Sequence, residues 1–429
     1  MNGWIIFILL IVLMLTGMPI SIALGLTVLT FLFFMTDLPA ELVSQRLFTG
    51  LDQFAIMAIP FFILAGTFLT HGGVARRMIR FATALVGHLH GGLAMAGVFA
   101  CALFAAVSGS SPATVVAIGT ILIPAMEKQG YPRKFGVGAI GTAGALGILI
   151  PPSIVMVIYS VSTNTSVGKL FIAGIVPGIL LAAILMGITW GIARRRGYPR
   201  MQRAGLKEIW SAFWDAIWGL LLIVVVIGGI YGGVFTPTEA AAVSAVYAFV
   251  VAVFVYRDLK LSDVPKVLLA SANMSAMLLY IITNAILFSF LLTSENIPQA
   301  MAQWIIDKHL SAWVFLLGVN ILLLIAGNFM EPSSIVLLLA PILFPVAMKL
   351  GVDPIHFGIV MTINMEVGLI HPPVGLNLYV ASGIARMGLT ETTVAFAPWI
   401  VIMVLYLLLV TYVPEIATWL PNAIYKVPD

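Results

Sequence analysis

Gly147-Ile148-Leu149-Ile150-Pro151-Pro152 and Gly368-Leu369-Ile370-His371-Pro372-Pro373 spell the same motif twice inside apolar sequence. Proline lacks an N–H and its ring clashes with the preceding turn, so a glycine followed by a double proline cannot continue a regular helix. Hydrocarbon cannot satisfy the carbonyls that such a break frees. The break survives at membrane depth only where it lines a protein cavity or holds something. Two broken helices at matching places in two halves are the sequence mark of secondary transporters, with the binding site at the breaks.

The rest of the chain agrees with a membrane setting. Of its 429 residues 61% are hydrophobic and 9% charged, against about 25% charged in a soluble domain. Apolar segments of some 20 residues recur from end to end, which predicts an all-α polytopic membrane protein. Residues 4–35 read as the first crossing. They lack the basic n-region and small-residue cleavage site of a removed signal peptide. Cys101 is the single cysteine, so no intrachain disulfide, cysteine-based metal site or redox pair is expected. No Walker loop, dinucleotide fingerprint or Ser/His/Asp arrangement occurs, which argues against an enzyme and against ATP-driven transport by this chain alone. His88, His90, His356 and His371 have no zinc spacing. The net charge of +4 belongs to loops at the membrane and implies no nucleic-acid partner.

Basic residues set the orientation. Four clusters, around Arg76–Arg80, Lys128–Lys134, Arg194–Lys207 and Arg257–Lys266, belong on the cytoplasmic side by the positive-inside rule. The first two flank residues 91–126, whose centre is Ser108-Gly109-Ser110-Ser111-Pro112. Each arm is roughly 15 residues, short of the ~20 that span a bilayer. The stretch reads as a re-entrant hairpin, with two short helices joined outside as the alternative. A second hairpin is expected over residues 312–348, with Gly327-Asn328-Phe329-Met330-Glu331-Pro332 at its tip. Broken helices are expected over about 135–166 and 355–385. Pro124 matches Pro345, Gly130 matches Gly351, and Pro132 matches Pro354. Five crossings separate the hairpin openings, so the two repeats are inverted. The boundaries are 1–50 (N-terminal scaffold helix and connector), 51–208 (first repeat), 209–266 (linking scaffold helices), 267–412 (second repeat) and 413–429 (tail). The N-terminus falls on the cytoplasmic side and the C-terminus outside.

Serine oxygens at a hairpin tip, with carbonyls freed by glycine and proline, are hard ligands that suit Na⁺. Helix C-termini add partial negative charge. Pairing each tip with the break of its own repeat yields two candidate Na⁺ sites. One joins Ser108 and Ser111 to Gly147, Ile150 and Pro152. The other joins Gly327 and Met330 to Gly368, His371 and Pro373, with Ile150, Met330 and His371 acting through their carbonyls. Glu331 and Glu366 are acids at membrane depth, where an ionisable group marks a site or pathway; pairing with an amide or hydroxyl is the alternative. A substrate carboxylate would be met by N–H groups at half-helix N-termini and by Ser110, Thr142, Asn328, Thr362 and Asn364. Thr236-Pro237-Thr238-Glu239 reads as a capping box.

Val107-Ser108-Gly109-Ser110-Ser111-Pro112-Ala113-Thr114, Phe235-Thr236-Pro237-Thr238-Glu239-Ala240-Ala241-Ala242 and Pro372-Pro373-Val374-Gly375-Leu376-Asn377-Leu378 resemble the large membrane subunit of TRAP (tripartite ATP-independent periplasmic) transporters. The resemblance covers essentially the whole chain. It implies an elevator-type, Na⁺-driven importer of a small organic acid in the bacterial inner membrane. It also implies two partners, a small four-helix membrane subunit and a periplasmic substrate-binding protein. Because the chain opens directly on its first apolar segment, the small subunit is expected as a separate polypeptide. The family's sodium sites are built from the same tips and breaks. His371 departs from it, since the family more often carries Thr there. A single-component Na⁺/dicarboxylate symporter of similar inverted-repeat fold, working without a binding protein, is the competing reading.

Overall fold

The computed structural model describes residues 2–36, 39, 41–328, 330–372 and 375–425, and among these there is no strand. Among the described residues seven helical stretches are long and apolar enough to cross a membrane by length and composition.

The N-terminus differs from the expected single crossing. Residues 4–35 are split between α1 (Asn2–Leu15) and α2 (Ile20–Met35). Gly17, at φ +84°, and Pro19 interrupt the helix, and the N–H groups of Thr16 and Gly17 turn back onto the carbonyls of Leu13 and Met14. Ile5, Ile8 and Val12 of α1 line the same apolar recess as Phe31, Phe34 and Met35 of α2, so the chain doubles back. A glycine and a proline two residues apart suffice for this break, because the left-handed conformation and the missing donor fall in one turn. Helix α3 (Glu41–Leu51) follows.

A 3₁₀ turn (Phe54–Met57) leads into α4 (Ala58–His71). Next comes α5 (Val74–Val86), an amphipathic helix where the basic cluster had suggested a loop. Val74, Ala75, Met78, Ile79 and Ala82 are its buried stripe, at the spacing that lines one helical face. Its arginines form ion pairs: Arg76 and Arg77 with Asp258 at 2.9 and 2.5 Å, and Arg80 with Glu208 and Asp215 at 3.0 and 3.1 Å. The Arg77 guanidinium also lies 3.7 Å from the centre of the Tyr256 ring. The ends of three distant segments are thereby drawn together.

The first hairpin is α6 (Gly92–Ser108) and α7 (Ser111–Lys128), turning at Gly109 with φ +62°. Its arms of 17 and 18 residues are about 26 Å long at 1.5 Å per residue, longer than expected. The first broken helix is α8 (Arg133–Ala143), a 3₁₀ turn (Gly144–Ile148) and α9 (Ile154–Thr163), with a cis peptide at Pro151–Pro152. Then come α10 (Val167–Arg196) and α11 (Leu206–Ile223), which continues through a π turn (Val224–Gly228) into α12 (Gly229–Tyr231). Helix α13 (Pro237–Val250) opens on the expected capping box. Glu239 N–H donates to Thr236 Oγ1 at 3.3 Å, and Thr236 N–H donates to Glu239 Oε2 at 2.8 Å.

The second half contains α14 (Val264–Ser294), α15 (Ile297–Asp307), the hairpin α16 (Ala312–Gly327) and α17 (Pro332–Lys349), the broken helix α18 (Pro354–Ile370) and α19 (Leu376–Ala385), and α20 (Leu389–Tyr412). The expected C-terminal tail instead holds α21 (Glu415–Tyr425), which packs on α10, with the Lys169 ammonium 5.5 Å from the Tyr425 ring centre. The halves are pinned together away from the tips. Tyr159 of α9 donates to the Pro354 carbonyl at 2.8 Å, and Tyr406 of α20 donates to the Pro177 carbonyl at 2.6 Å.

Candidate functional site: two hairpin tips on two helix breaks

Each tip lies on the break of its own half, and glycine is the reason it can. A Cβ on Gly147 would come within 2.6 Å of the Ser110 carbonyl oxygen and 2.8 Å of Ser111 Cα. A Cβ on Gly109 would come within 2.8 Å of the Pro152 carbonyl oxygen. The first tip and the first break are therefore in backbone contact. Ser108 and Ser111 are buried in that contact. The Thr114 hydroxyl donates to the Ser110 carbonyl at 2.9 Å, and the Ser108 and Thr114 hydroxyls share a 2.9 Å hydrogen bond. Ser111 Oγ accepts from Asn377 Nδ2 at 2.8 Å. Ser153 caps α9 and donates to the Ile148 carbonyl at 2.5 Å, holding the turn that presents Ile150 and Pro152.

The second cluster repeats the backbone logic with different side chains. Gly327 and Gly368 face each other so closely that a Cβ on either would come within 3.0 Å of the other's Cα. Helix α18 runs without a 3₁₀ turn to Ile370, and His371 is extended (φ −91°, ψ 134°), as a residue before proline must be. His371 Nδ1 lies 2.7 Å from Asn328 Oδ1; an amide oxygen only accepts, so Nδ1 carries the proton of this bond. Met330 and Glu331 line a cavity of about 150 Å³ together with Gly327, Met365 and Gly368. Pro373, the remaining member of this candidate set, lies outside the described residues.

The other predicted residues divide. Glu331 accepts from Ser333 N–H at 2.8 Å and caps α17, so it has a structural partner. Glu366 is fully buried, and neither carboxylate oxygen has a hydrogen-bond partner among the described residues; the amide or hydroxyl offered as the alternative is not there. Ser110 and Asn328 stand at the tips. Thr142 is buried, follows the Gly141 whose carbonyl Asn377 contacts, and has no partner for its hydroxyl among the described residues. Thr362 and Asn364 each make hydrogen bonds within the helical core. Thr362 donates to Gly358 of its own helix at 2.9 Å. Asn364 donates to Asn320 at 2.7 Å and Asn320 to Thr411 at 3.0 Å, a polar chain joining α18, α16 and α20. The Asn364 amide nitrogen is thus engaged with a neighbouring helix, whereas its Oδ1 is buried without a hydrogen-bond partner among the described residues. Asn377 and Thr114, absent from the predicted set, both touch it.

An all-helical membrane fold whose paired hairpin tips and helix breaks meet in its core is that of a membrane transport protein. The chain belongs to the family described as "Tripartite ATP-independent periplasmic transporter, DctM component", whose model matches residues 7–416. The C4-dicarboxylate TRAP transporter large permease protein DctM of Rhodobacter capsulatus is 67% identical over 98% of this chain and 99% of its own length. Its namesake from Pseudomonas aeruginosa is 57% identical over 93% and 94%. The YdaH transporter of Alcanivorax borkumensis shares the fold at 16% identity, with a TM-score of 0.67 over 90% of this chain and 91% of that one. The family is one of transporter components, which sets the enzyme reading aside.

Proposed function

We propose that this chain is the permease of a Na⁺-coupled importer of C4-dicarboxylates, fed by a periplasmic substrate-binding protein and working with a small membrane subunit in the bacterial inner membrane. The observation that carries the coupling is the doubled tip-on-break contact, Gly147 under Ser110 and Gly327 against Gly368. At each, a break glycine lies on the peptide of a tip, and carbonyls freed by the break beside polar tip residues are the hard oxygen donors that a monovalent cation takes. In the first site Ser108 and Ser111 act with the carbonyls of Gly147, Ile150 and Pro152. In the second the carbonyls of Gly327, Met330, Gly368 and His371 act, with Pro373 alongside. The permease relatives supply the substrate class. Ser110, Asn328 and Thr142 are the side chains assigned to its carboxylates.

The repeat boundaries 51–208 and 267–412 divide the chain into two inverted halves. The elevator unit consists of the two hairpins and the two broken helices, the latter joined by the bond from Tyr159 to Pro354. The remaining long helices form the scaffold. The doubled-back α1 and α2 return the chain to the face on which it starts, so with the basic clusters inside the N-terminus moves to the periplasmic face, beside the C-terminus. Each Na⁺ entering down the membrane potential supplies about 2.3 kcal/mol per 100 mV.

The test is co-reconstitution with the small subunit in proteoliposomes, measuring succinate, fumarate and malate uptake with and without an inward Na⁺ gradient and the cognate binding protein. Uptake that needs both supports the tripartite reading. Na⁺-driven uptake without the binding protein favours the single-component symporter, and uptake indifferent to Na⁺ removes both ion sites.

A further inference from the structure

Asn377 is the side chain that reaches from the second half onto the first tip. It stands in the first turn of α19, just beyond the second break, and is fully buried. Its Nδ2 donates to Ser111 Oγ at 2.8 Å and to the Gly141 carbonyl at 3.4 Å. The Gly141 contact settles which way the amide faces, because a carbonyl offers no proton to an amide oxygen. Both amide hydrogens are therefore occupied, and Oδ1 is directed away from them. That oxygen is buried without a hydrogen-bond partner among the described residues. So is Thr142 Oγ1, on the residue after Gly141.

Leaving a buried acceptor unpaired costs about 1–3 kcal/mol, and a fold does not repeat that cost at adjoining positions without return. A carboxylate is no remedy for Oδ1, since it too only accepts. A hard cation is, and the neighbouring Ser111 hydroxyl oxygen retains a lone pair for the same ion.

We propose that Asn377 Oδ1 is a ligand of the first Na⁺ site, contributed across the molecule by the second half. The assignment rests on the sodium reading given above and adds to it. The first site is complete only while α19 is docked on the first tip, so the position of the second break governs whether the first ion is held. The two sites are then coupled through one side chain, without any contact between the ions.

The experiment uses the purified chain with its small subunit. It follows the thermal midpoint while NaCl replaces choline chloride at constant ionic strength; an ion that binds the folded state alone raises the midpoint with its own saturation curve. Asn377→Leu keeps the volume and removes the oxygen, and half-saturating Na⁺ rises about tenfold or more. Asn377→Asp keeps an oxygen in place and adds charge. In choline its midpoint falls below wild type, Na⁺ restores it, and half-saturating Na⁺ is no higher than in wild type. A packing role predicts the reverse order, because Asp lacks the N–H that Ser111 accepts. The proposal is overturned if the Leu variant titrates like wild type or if the Asp variant is as weak as the Leu variant. Should the Leu variant not fold, the Asp variant decides alone, a weaker Na⁺ response than wild type overturning the assignment. A wild type without any Na⁺-specific shift removes the sodium reading itself, a result distinct from a wild-type shift that survives in Asn377→Leu.

Discussion

At the first tip Ser108, Ser111 and Thr114 are buried and neutral, Ser108 bonded to Thr114 and Ser111 to Asn377. At the second, Asn328 holds His371, Glu331 caps a helix, and a cavity reaches Met330 and Gly368. What the two share is backbone: a glycine of the break lying on the peptide of the tip. What differs is every side chain around that contact. On the proposed sodium reading the main-chain carbonyls at these contacts are the common donors, and the side chains around each distinguish the two sites and their links to the rest of the molecule. The first is tied across the two halves by Asn377, while the second is closed within its own half by the bond between His371 and Asn328.

The strongest challenge to this comparison strikes the shared element. Gly147→Ala and Gly368→Ala each place a Cβ within 3.0 Å of backbone atoms, which cannot move aside as a side-chain end would. Both variants should lose uptake to background while still assembling with the small subunit, as judged by size-exclusion chromatography. Near-normal uptake in either would mean that tip and break are not in contact during transport. The next effect separates the sites. Ser108→Ala combined with Ser111→Ala should abolish Na⁺-dependent uptake, whereas His371→Thr should retain it, since the second site draws on a carbonyl. A His371→Thr variant as dead as the double serine variant would show that the imidazole itself is required.

Smaller effects sharpen the contrast. Asn328→Ala removes one hydrogen bond at the second tip. It should cost about 1 kcal/mol, seen as a severalfold rise in half-saturating Na⁺ with the maximal rate kept. Glu331→Gln leaves an acceptor for the Ser333 N–H and should change the thermal midpoint by the equivalent of less than about 1 kcal/mol. A large loss of transport there would move Glu331 from a cap to an ion ligand.

Much of this arrangement was readable from the chain because the decisive signals are local. Both hairpins fall within a few residues of their expected positions, since glycine and proline act on their own turn. The same chemistry at Gly17 and Pro19 does not stand out in the sequence, because a lone proline without its double looks tolerable in an apolar run. The arginine cluster of α5 suggests a charged loop, yet Val74, Ala75, Met78, Ile79 and Ala82 interleave with its arginines at helical spacing. At the site, the tips and breaks were visible as motifs and their partners were not. Asn377 meets Ser111 across 266 residues, and Asn364 meets Asn320 across 44. Nothing in the local pattern of an asparagine tells whether its amide faces an ion, a substrate or a neighbouring helix; only the packing decides.

The most direct measurement of the central claim is simultaneous uptake of radiolabelled Na⁺ and radiolabelled succinate in proteoliposomes holding the permease, the small subunit and the binding protein. Two tip-on-break sites predict that at least two Na⁺ ions enter with each succinate, and that Ser108→Ala with Ser111→Ala uncouples the fluxes. Succinate entering with no accompanying Na⁺ would contradict the account.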